Sequence, residues 1–500
     1  MMKREAGILL PISALPSEYG IGCLDRAAYE FVDFLAAAGQ SVWQILPTGP
    51  TGYGDSPYQS FSAFAGNPYF VSLENLCRDD LLTREECAKE SCTSADGSVD
   101  YGALYEKRMR LLRKAFARSR QSAEQLRFEE EQGFWLSDYS LFMAIKSSLG
   151  AKPLLSWDAP IRRRDESALS YLRKALSDEV AYHSFLQYRF FIDWQALRAY
   201  ANQKGIRIVG DLPIYVSADS ADLWCSPALF ALDAEGIPTA VAGCPPDGFS
   251  PKGQLWGNPI YAWEEHARTE YAWWISRLRH AFSMYDVVRI DHFRGFDSYY
   301  SIPYGAPDAT VGEWKRGPGI SLFRAMEHAL GKREIIAEDL GYVTDSVRAL
   351  VRESGFAGMK ILQFGFEASE GEDPHFRGEY LPHNYPKNSV AYTGTHDNPT
   401  LCEWLSSLDE WQAKRLREYL WEVLLPTHCL SDPMIALLMR SSSRLCVVPM
   451  QDYLGLAGEG RMNLPSTLGR NWRWRMTKEQ MSDELAEKIL RLTTLGGRLP

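Results

Sequence analysis

The sequence predicts an α/β fold, a (β/α)8 TIM barrel with large inserted subdomains after strands 2 and 3. Eight short apolar runs are bounded by glycine, proline or polar residues, and helical patterns separate several of them. Strands covered by helices on both faces lose the polar alternation of surface strands, as these runs do. Eight such units favour a closed barrel over an open, doubly wound sheet.

The predicted elements follow one another in a strand–helix rhythm. The strands are the runs at 7–12, 42–47, 206–212, 287–291, 334–339, 359–364, 389–395 and 446–451. The first helix spans 25–38, with apolar residues at helical spacing, and ends at Gly39. Similar patterns predict helices at 262–281, 321–330 and 344–353.

Two connections are far longer than a strand–helix–strand unit needs. About 150 residues separate the second and third strands, and about 75 separate the third and fourth. We expect a mostly helical subdomain at about 50–190, with its clearest helices at 101–118 and 134–149. A second, at about 213–262, is expected to be irregular, loop-rich and substrate-binding. The whole chain, 1–500, is then one catalytic barrel.

Composition excludes several functional classes. The 500 residues carry a net charge of −10, and their basic side chains are scattered rather than gathered in a stripe, which argues against nucleic acid or anionic membrane as partners. The amino-terminal MMKREAGILLPIS lacks the pattern of a signal peptide, so we expect a cytoplasmic protein. Nine irregularly spaced cysteines predict reduced, mostly buried thiols.

Three segments end an apolar run on carboxylates: VVRIDHFRG (287–295), EIIAEDLG (334–341) and SVAYTGTHDN (389–398). In parallel barrels, catalytic groups sit at the carboxyl ends of different strands, so Asp291, Glu338 and Asp397 can converge. Converging carboxylates are typical of glycoside chemistry. A fourth strand end, IRIVGDLPIYV, places Asp211 at the same mouth, where we expect it to bind substrate.

Neighbouring residues suggest separate roles for the acids. Arg289 and Asp291 should face the same side of a strand, and the guanidinium should lower the carboxyl pKa, as suits a nucleophile. Crowding among carboxylates should raise the pKa of Glu338, as suits a general acid and base. An ionised Asp397, next to His396, could hold sugar hydroxyls and stabilise an oxocarbenium-like transition state.

Other interpretations of these residues remain open. Acids at strand ends also cap helices and form structural ion pairs. The DH at 291–292 and the HD at 396–397 could be metal ligands, as in barrel metalloenzymes. Because the sequence has no HxH or HExxH spacing, we predict no metal.

Two aromatic loops are candidate sugar-binding segments. YGDSPYQSFSAF (53–64) and PPDGFSPKGQLWGNPIYAW (245–263) are rich in glycine and proline, and so are poor core sequences. Aromatic rings offer apolar faces on which the C–H face of a sugar can stack. We expect exposed rings at Tyr53, Tyr58, Phe249, Trp256 and Tyr261.

Nearly the whole chain resembles the amylomaltases, the 4-α-glucanotransferases of glycoside hydrolase family 77 in the α-amylase clan. The resemblance lies in GILLPISALPS, GYGDSPYQS, GDLPIYV, GQLWGNPIY, RIDHFRG, AEDLG, GTHDNPT, PMQDYLGL and RMNLPST. It implies Asp291 as nucleophile, Glu338 as general acid/base and Asp397 as transition-state stabiliser. The substrate-binding residues that it implies are Tyr58, Ser56, Asp211, Trp256, Arg289, His396 and Asn463.

The resemblance also implies an activity. Members move a segment of a 1,4-α-D-glucan to the 4-hydroxyl of an acceptor glucose or glucan, through a covalent glucosyl-aspartate and without a cofactor. Maltooligosaccharides and α-1,4-glucans are the expected donors, and glucose or a maltooligosaccharide the expected acceptor. An α-1,4-glucan hydrolase with the same carboxylates is the alternative, and a catalytically silent glucan-binding protein is an alternative of another class.

Overall fold

Eight parallel strands close on themselves in the computed structural model, which describes residues 4–52, 54–246, 250–367, 373, 375–421 and 425–500. In chain order the strands are β1 (Glu5–Leu9), β2 (Val42–Gln44), β3 (Arg207–Leu212), β4 (Ala240–Cys244), β5 (Gln254–Pro259), β6 (Val287–Ile290), β7 (Ser298–Pro303), β8 (Glu313–Arg316), β9 (Ile335–Ala337), β10 (Ala357–Ile361), β11 (Ser389–Tyr392) and β12 (Leu445–Pro449).

The barrel strands follow chain order around the ring, β1-β2-β3-β6-β9-β10-β11-β12, and β12 closes onto β1. Each of the eight predicted strands is present, and each lies within three residues of its expected start. One apolar cluster takes side chains from all eight strands and fills the barrel, as closed eight-stranded barrels require. Its members are Leu9, Val42, Val209, Val287, Ile336, Ala357, Met359, Ile361, Val390, Tyr392, Leu445 and Val447.

Helices surround the barrel and form most of the connection between β2 and β3. The α-helices of the described ranges are Arg26–Ala37, Leu73–Arg78, Arg84–Lys89, Tyr101–Ala103, Met109–Arg118, Ala123–Glu131, Gly133–Ser148, Ala159–Arg162, Glu166–Ala175, Ser177–Gln203, Ala221–Cys225, Trp263–Arg268, Ala272–Met284, Ile320–Leu330, Asp345–Ser354, Leu401–Ser407, Glu410–Leu420, Ser431–Arg440, Met450–Tyr453 and Asp483–Leu495. None of them combines the length and the apolar character that crossing a membrane requires.

The helices that the sequence predicts are confirmed, with local adjustments. Arg26–Ala37 begins where the Asp25 carboxylate accepts from the Ala27 N–H, and Gly39 follows it with a left-handed φ of 66°. The helix expected at 262–281 is divided into Trp263–Arg268 and Ala272–Met284. Between them Glu270 and Tyr271 adopt positive φ, which interrupts the helical hydrogen bonds.

Within 213–262, which was expected to be irregular and loop-rich, the strands β4 and β5 pair with each other. They join an antiparallel sheet of order β5-β4-β7-β8 that stands outside the barrel. Local pattern does not reveal this sheet, because β7 and β8 come from the connection after β6. Gly243 allows the close pairing: a Cβ atom there would lie 2.1 Å from the Gln254 carbonyl oxygen.

Candidate active site

Asp291 and Glu338 lie side by side at the carboxyl end of the barrel, where β6 and β9 end. Backbone hydrogen bonds fix their relative position. The Asp291 N–H donates to the Leu212 carbonyl at 3.0 Å, and the Glu338 N–H donates to the Ile290 carbonyl at 3.1 Å. Because β3, β6 and β9 are neighbours in the barrel, their carboxyl ends bring these acids and Asp211 into one pocket.

Arg289 bridges two carboxylates at the bottom of this pocket. Its Nη1 lies 2.6 Å from both carboxylate oxygens of Asp211 and 3.1 Å from Oδ1 of Asp291. This confirms that Arg289 and Asp291 share one face of the strand. Asp211 is wholly enclosed and also accepts from the Tyr58 hydroxyl at 2.7 Å, whereas the Asp291 side chain is 28% exposed at the mouth.

The expected lowering of the Asp291 pKa is wrong: burial raises it to about 7. The positive charge of Arg289 opposes this rise in pKa, but it also balances the negative charge of the fully buried Asp211. The negative charges of Asp211 and Asp397 raise the pKa further. One guanidinium therefore does not offset both the desolvation of Asp291 and the neighbouring carboxylates.

Glu338 has the higher proton affinity of the pair, as the sequence predicts. Burial, and secondarily the charge of Asp291, raise its pKa to about 8. Its carboxylate accepts from the His292 N–H at 2.6 Å and from the Leu340 N–H at 3.2 Å, so its position is fixed. Two adjacent carboxyls of unequal proton affinity are the arrangement that acid and nucleophile roles need.

His292 shapes the site and was not among the predicted residues. Its backbone has a left-handed φ of 47°, which turns its N–H toward Glu338. The ring meets the Trp256 indole edge-on, with the ring centres 4.8 Å apart. Burial lowers the pKa of His292 to about 3, so its imidazole is neutral. In the sequence, the one signal that could have identified His292 as a site residue is its position directly after Asp291.

Asp397 follows the end of β11, two strands away from β9 in the barrel, and its side chain is 49% exposed. The Asn463 amide donates to Oδ1 at 2.6 Å, and the His396 Nε2 lies 3.4 Å from Oδ2. The Asn463 N–H also donates to the His396 carbonyl at 3.1 Å. Burial lowers the pKa of His396, so a neutral imidazole adjoins the carboxylate. The structure thus brings the predicted Asn463 into contact with Asp397, although they are far apart in sequence.

Three aromatic rings form a wall that runs from Asp211, which the Tyr58 hydroxyl contacts, to Asp397, which adjoins His396. The Tyr58 and His396 rings stack with centres 5.2 Å apart, and Trp472, which the sequence did not point to, lies 5.9 Å and 5.7 Å from them. Ser56 supports this wall through its hydroxyl, which accepts from the Tyr58 N–H at 3.3 Å. Trp256 is partly exposed on β5.

One predicted ring does not reach the site. Tyr261 is buried, and its hydroxyl donates to the Ile214 carbonyl at 2.9 Å, so the expectation that it is exposed is wrong. It belongs to an aromatic core cluster with Trp263 and Trp274. Tyr53 and Phe249 lie outside the described residues.

The histidines near the carboxylates do not form a metal site with them. Across the described ranges, no three His, Cys, Asp or Glu side chains are grouped so that they could hold one ion. The structure instead places His292 and His396 in aromatic contacts.

Comparison with known proteins gives consistent matches. The model of glycoside hydrolase family 77, described as 4-alpha-glucanotransferase, matches residues 10–481. The 4-alpha-glucanotransferase of Streptococcus pneumoniae serotype 4 is 46% identical to this chain, and the alignment covers 100% of this chain and 98% of that protein. The 4-alpha-glucanotransferase of Clostridium butyricum is 44% identical, and the alignment covers 97% of this chain and 99% of that protein. The structure of the amylomaltase from Streptococcus agalactiae in complex with acarbose superposes with a TM-score of 0.95, at 40% identity and full coverage of both chains.

Proposed function

Because the chain belongs to the 4-alpha-glucanotransferases of glycoside hydrolase family 77, we propose that it acts by a retaining double displacement. A segment of a 1,4-α-D-glucan passes through a covalent glucosyl-aspartate to the 4-hydroxyl of an acceptor glucose or 1,4-α-glucan. The observation that carries this proposal is the adjacent, partly buried pair of Asp291 and Glu338, in which Glu338 has the higher pKa. The pair holds a base and an acid side by side.

In the first step, an Asp291 carboxylate oxygen attacks the anomeric carbon of the donor sugar. The bond from that carbon to the glycosidic oxygen breaks, and Glu338 gives its proton to the departing oxygen. The raised pKa of Glu338 keeps that proton available near neutral pH. The raised pKa of Asp291 makes its ionised form a stronger base, and therefore a stronger nucleophile, than an ordinary aspartate.

In the second step, the ionised Glu338 takes the proton from the 4-hydroxyl of the acceptor. The acceptor oxygen attacks the anomeric carbon, the ester to Asp291 breaks, and the enzyme returns to its starting protonation state. Two inversions at one carbon retain the configuration of the bond. The backbone N–H groups of His292 and Leu340 donate to the Glu338 carboxylate and hold it in place for both proton transfers.

The remaining polar groups suit binding of the sugar that is transferred. Asp397 accepts from Asn463 and is half-exposed, so its carboxylate is available to sugar hydroxyls. We assign Asp397 the stabilisation of the oxocarbenium-like transition state. Tyr58, Ser56, His396 and Asn463 form or support the wall beside that sugar, and Asp211 and Arg289 position Asp291 from below.

Preference for a sugar acceptor over water follows from the acceptor side of the pocket. There Trp256 packs against His292 and offers an apolar surface. A sugar that stacks on this surface displaces water and places its hydroxyl near Glu338. Maltooligosaccharides and α-1,4-glucans are the proposed donors, and glucose or maltooligosaccharides the acceptors.

Incubation with maltotriose tests the activity. We expect a ladder of longer and shorter maltooligosaccharides in a chromatographic product profile. Only shorter products would identify a hydrolase, and unchanged maltotriose would identify a binding protein. The Asp291→Asn variant, which keeps the shape of the side chain, is the control and should make no ladder.

A further inference from the structure

Two exposed aromatic side chains flank one arginine beside the catalytic pair. Trp314 and Tyr342 are 40% and 72% exposed, although large apolar rings are usually covered. The guanidinium carbon of Arg294 lies 3.9 Å from the Trp314 ring centre and 5.8 Å from that of Tyr342. We call Trp314, Arg294 and Tyr342 the rim platform.

The rim platform is continuous with the active site through the backbone. Arg294 follows Asp291 by three residues, and Tyr342 follows Glu338 by four. Trp314 comes from β8, the edge strand of the antiparallel sheet. The segments that follow the two catalytic carboxylates and the edge strand β8 therefore meet at Arg294.

Hydrogen bonds and packing hold Arg294 and the Trp314 ring in place and fix the backbone at Tyr342. Arg294 is buried and donates from Nη1 to the Tyr342 carbonyl at 2.6 Å and from Nη2 to the Ser298 hydroxyl at 3.1 Å. Trp314 also packs against the buried Tyr300, with ring centres 5.2 Å apart. Because the Trp314 ring is held before any ligand arrives, a ligand that stacks on it has less conformational entropy to remove.

The chemistry of the rim platform fits a chain of glucose units. A glucan presents apolar C–H faces bordered by hydroxyls, and exposed rings with polar neighbours match both features. Tyr342 is 72% exposed and also carries a phenolic hydroxyl, which can hydrogen-bond to sugar hydroxyls.

We propose that the rim platform is an acceptor-side subsite for glucose units beyond the one that receives the transferred segment. This inference rests on the proposed function, in which Glu338 handles both the departing and the incoming oxygen. A glucan chain on that side of the cleaved bond passes the segment that follows Glu338, where Tyr342 lies. Glucose alone is too short to contact Trp314 and Tyr342, whereas an acceptor of several units reaches both.

Acceptor kinetics test this subsite. With saturating α-maltotriosyl fluoride as donor, transfer is measured to methyl α-glucoside and to methyl α-maltotetraoside. Trp314→Ala and Tyr342→Ala should each raise the KM for the maltotetraoside about three- to tenfold, the range expected for the loss of one aromatic contact. The KM for the glucoside should change less than about twofold, and Trp314→Phe, which keeps a ring, should recover most of the affinity.

Tyr171 provides the matched control, since it is equally exposed, at 72%, but lies on Glu166–Ala175 in the helical connection. Tyr171→Ala should leave both KM values unchanged. Equal changes for both acceptors, or no change for the maltotetraoside, would reject the subsite while leaving the proposed function intact. No transfer by the unaltered protein to either acceptor would reject the proposed function and the subsite with it.

Discussion

At the residue scale, the sharing of Arg289 between two carboxylates sets the proton affinity of Asp291. The guanidinium lies closer to Asp211, at 2.6 Å, than to Asp291, at 3.1 Å. Asp211 is thus a buried counter-ion that draws positive charge away from Asp291 and adds a negative charge nearby. Both effects keep the pKa of Asp291 high, and a more basic carboxylate is a better nucleophile once it is ionised.

The pH dependence of catalysis should reflect this arrangement. The reaction needs Asp291 ionised and Glu338 protonated, so kcat/KM should rise as pH passes the Asp291 pKa of about 7 and fall above the Glu338 pKa of about 8. Asp211→Asn removes a negative charge that raises the Asp291 pKa. Arg289 then has Asp291 as its only carboxylate partner of the two. The acid limb of the pH profile should therefore move to lower pH.

A second buried aspartate serves as the control. Burial raises the pKa of Asp222 to about 6, but Asp222 accepts from the Ala63 N–H and does not contact the catalytic pair. Asp222→Asn should leave the acid limb where it is. An acid limb that stays in place or moves upward in Asp211→Asn would contradict the shared-arginine account.

At the element scale, the sequence predicted the barrel strands well because parallel strands buried on both faces are nearly uniform in hydrophobicity. It missed the antiparallel sheet because β4 pairs on one side with β5 and on the other with β7, which comes from a distant part of the chain. The position of Glu338 could be predicted because it directly follows a predicted barrel strand. The left-handed turn at His292 and the burial of Tyr261 could not be predicted, because both depend on packing between distant segments.

Strand β5 gives a prediction about the fate of the covalent intermediate. Trp256 projects from this strand toward His292, and we propose that its ring excludes water from the acceptor side. Trp256→Ala should raise the ratio of hydrolysis to transfer on maltotriose about two- to tenfold, because water reaches the intermediate more easily and the acceptor binds less well. Hydrolysis is measured as the net gain of reducing ends, which transfer leaves unchanged, and transfer is measured as the longer products formed.

Trp421 is a suitable control for this prediction, since its side chain is exposed and lies at the end of the helix Glu410–Leu420, away from β5. Trp421→Ala should keep the original ratio. If Trp256→Ala also keeps it, the aromatic wall does not decide between water and sugar.

At the scale of the whole molecule, we propose that residues 1–500 form one catalytic unit. The connections at about 50–190 and about 213–262 are then subdomains inserted into the barrel. Contacts between the first connection and the barrel support this view. The Leu24 N–H, which precedes the first barrel helix, donates to the Phe70 carbonyl at 2.9 Å, and the Trp194 indole N–H, on the helix Ser177–Gln203, donates to the Met284 carbonyl at 3.1 Å.

Gln187→Met should lower the melting temperature of the entire protein. The change leaves the buried N–H and carbonyl of Gly66 unpaired, at a cost of about 1–3 kcal/mol for each group. Tryptophan fluorescence and loss of activity should shift together. The exposed Gln195 on the same helix is the control, and Gln195→Met should melt like the unaltered protein. A separate early transition that leaves activity intact would show that the connection unfolds independently of the barrel.

Trapping of the covalent intermediate tests the central claim most directly. The Glu338→Gln variant cannot protonate a glycosidic oxygen or activate an acceptor, but a maltotriosyl fluoride donor has a leaving group that needs little protonation. After mixing and proteolysis, mass spectrometry should find the maltotriosyl group on the peptide that contains Asp291. The adduct should be absent when Asp291→Asn is added to this variant. An adduct on another carboxylate, or none while the donor is consumed, would contradict a double displacement through Asp291.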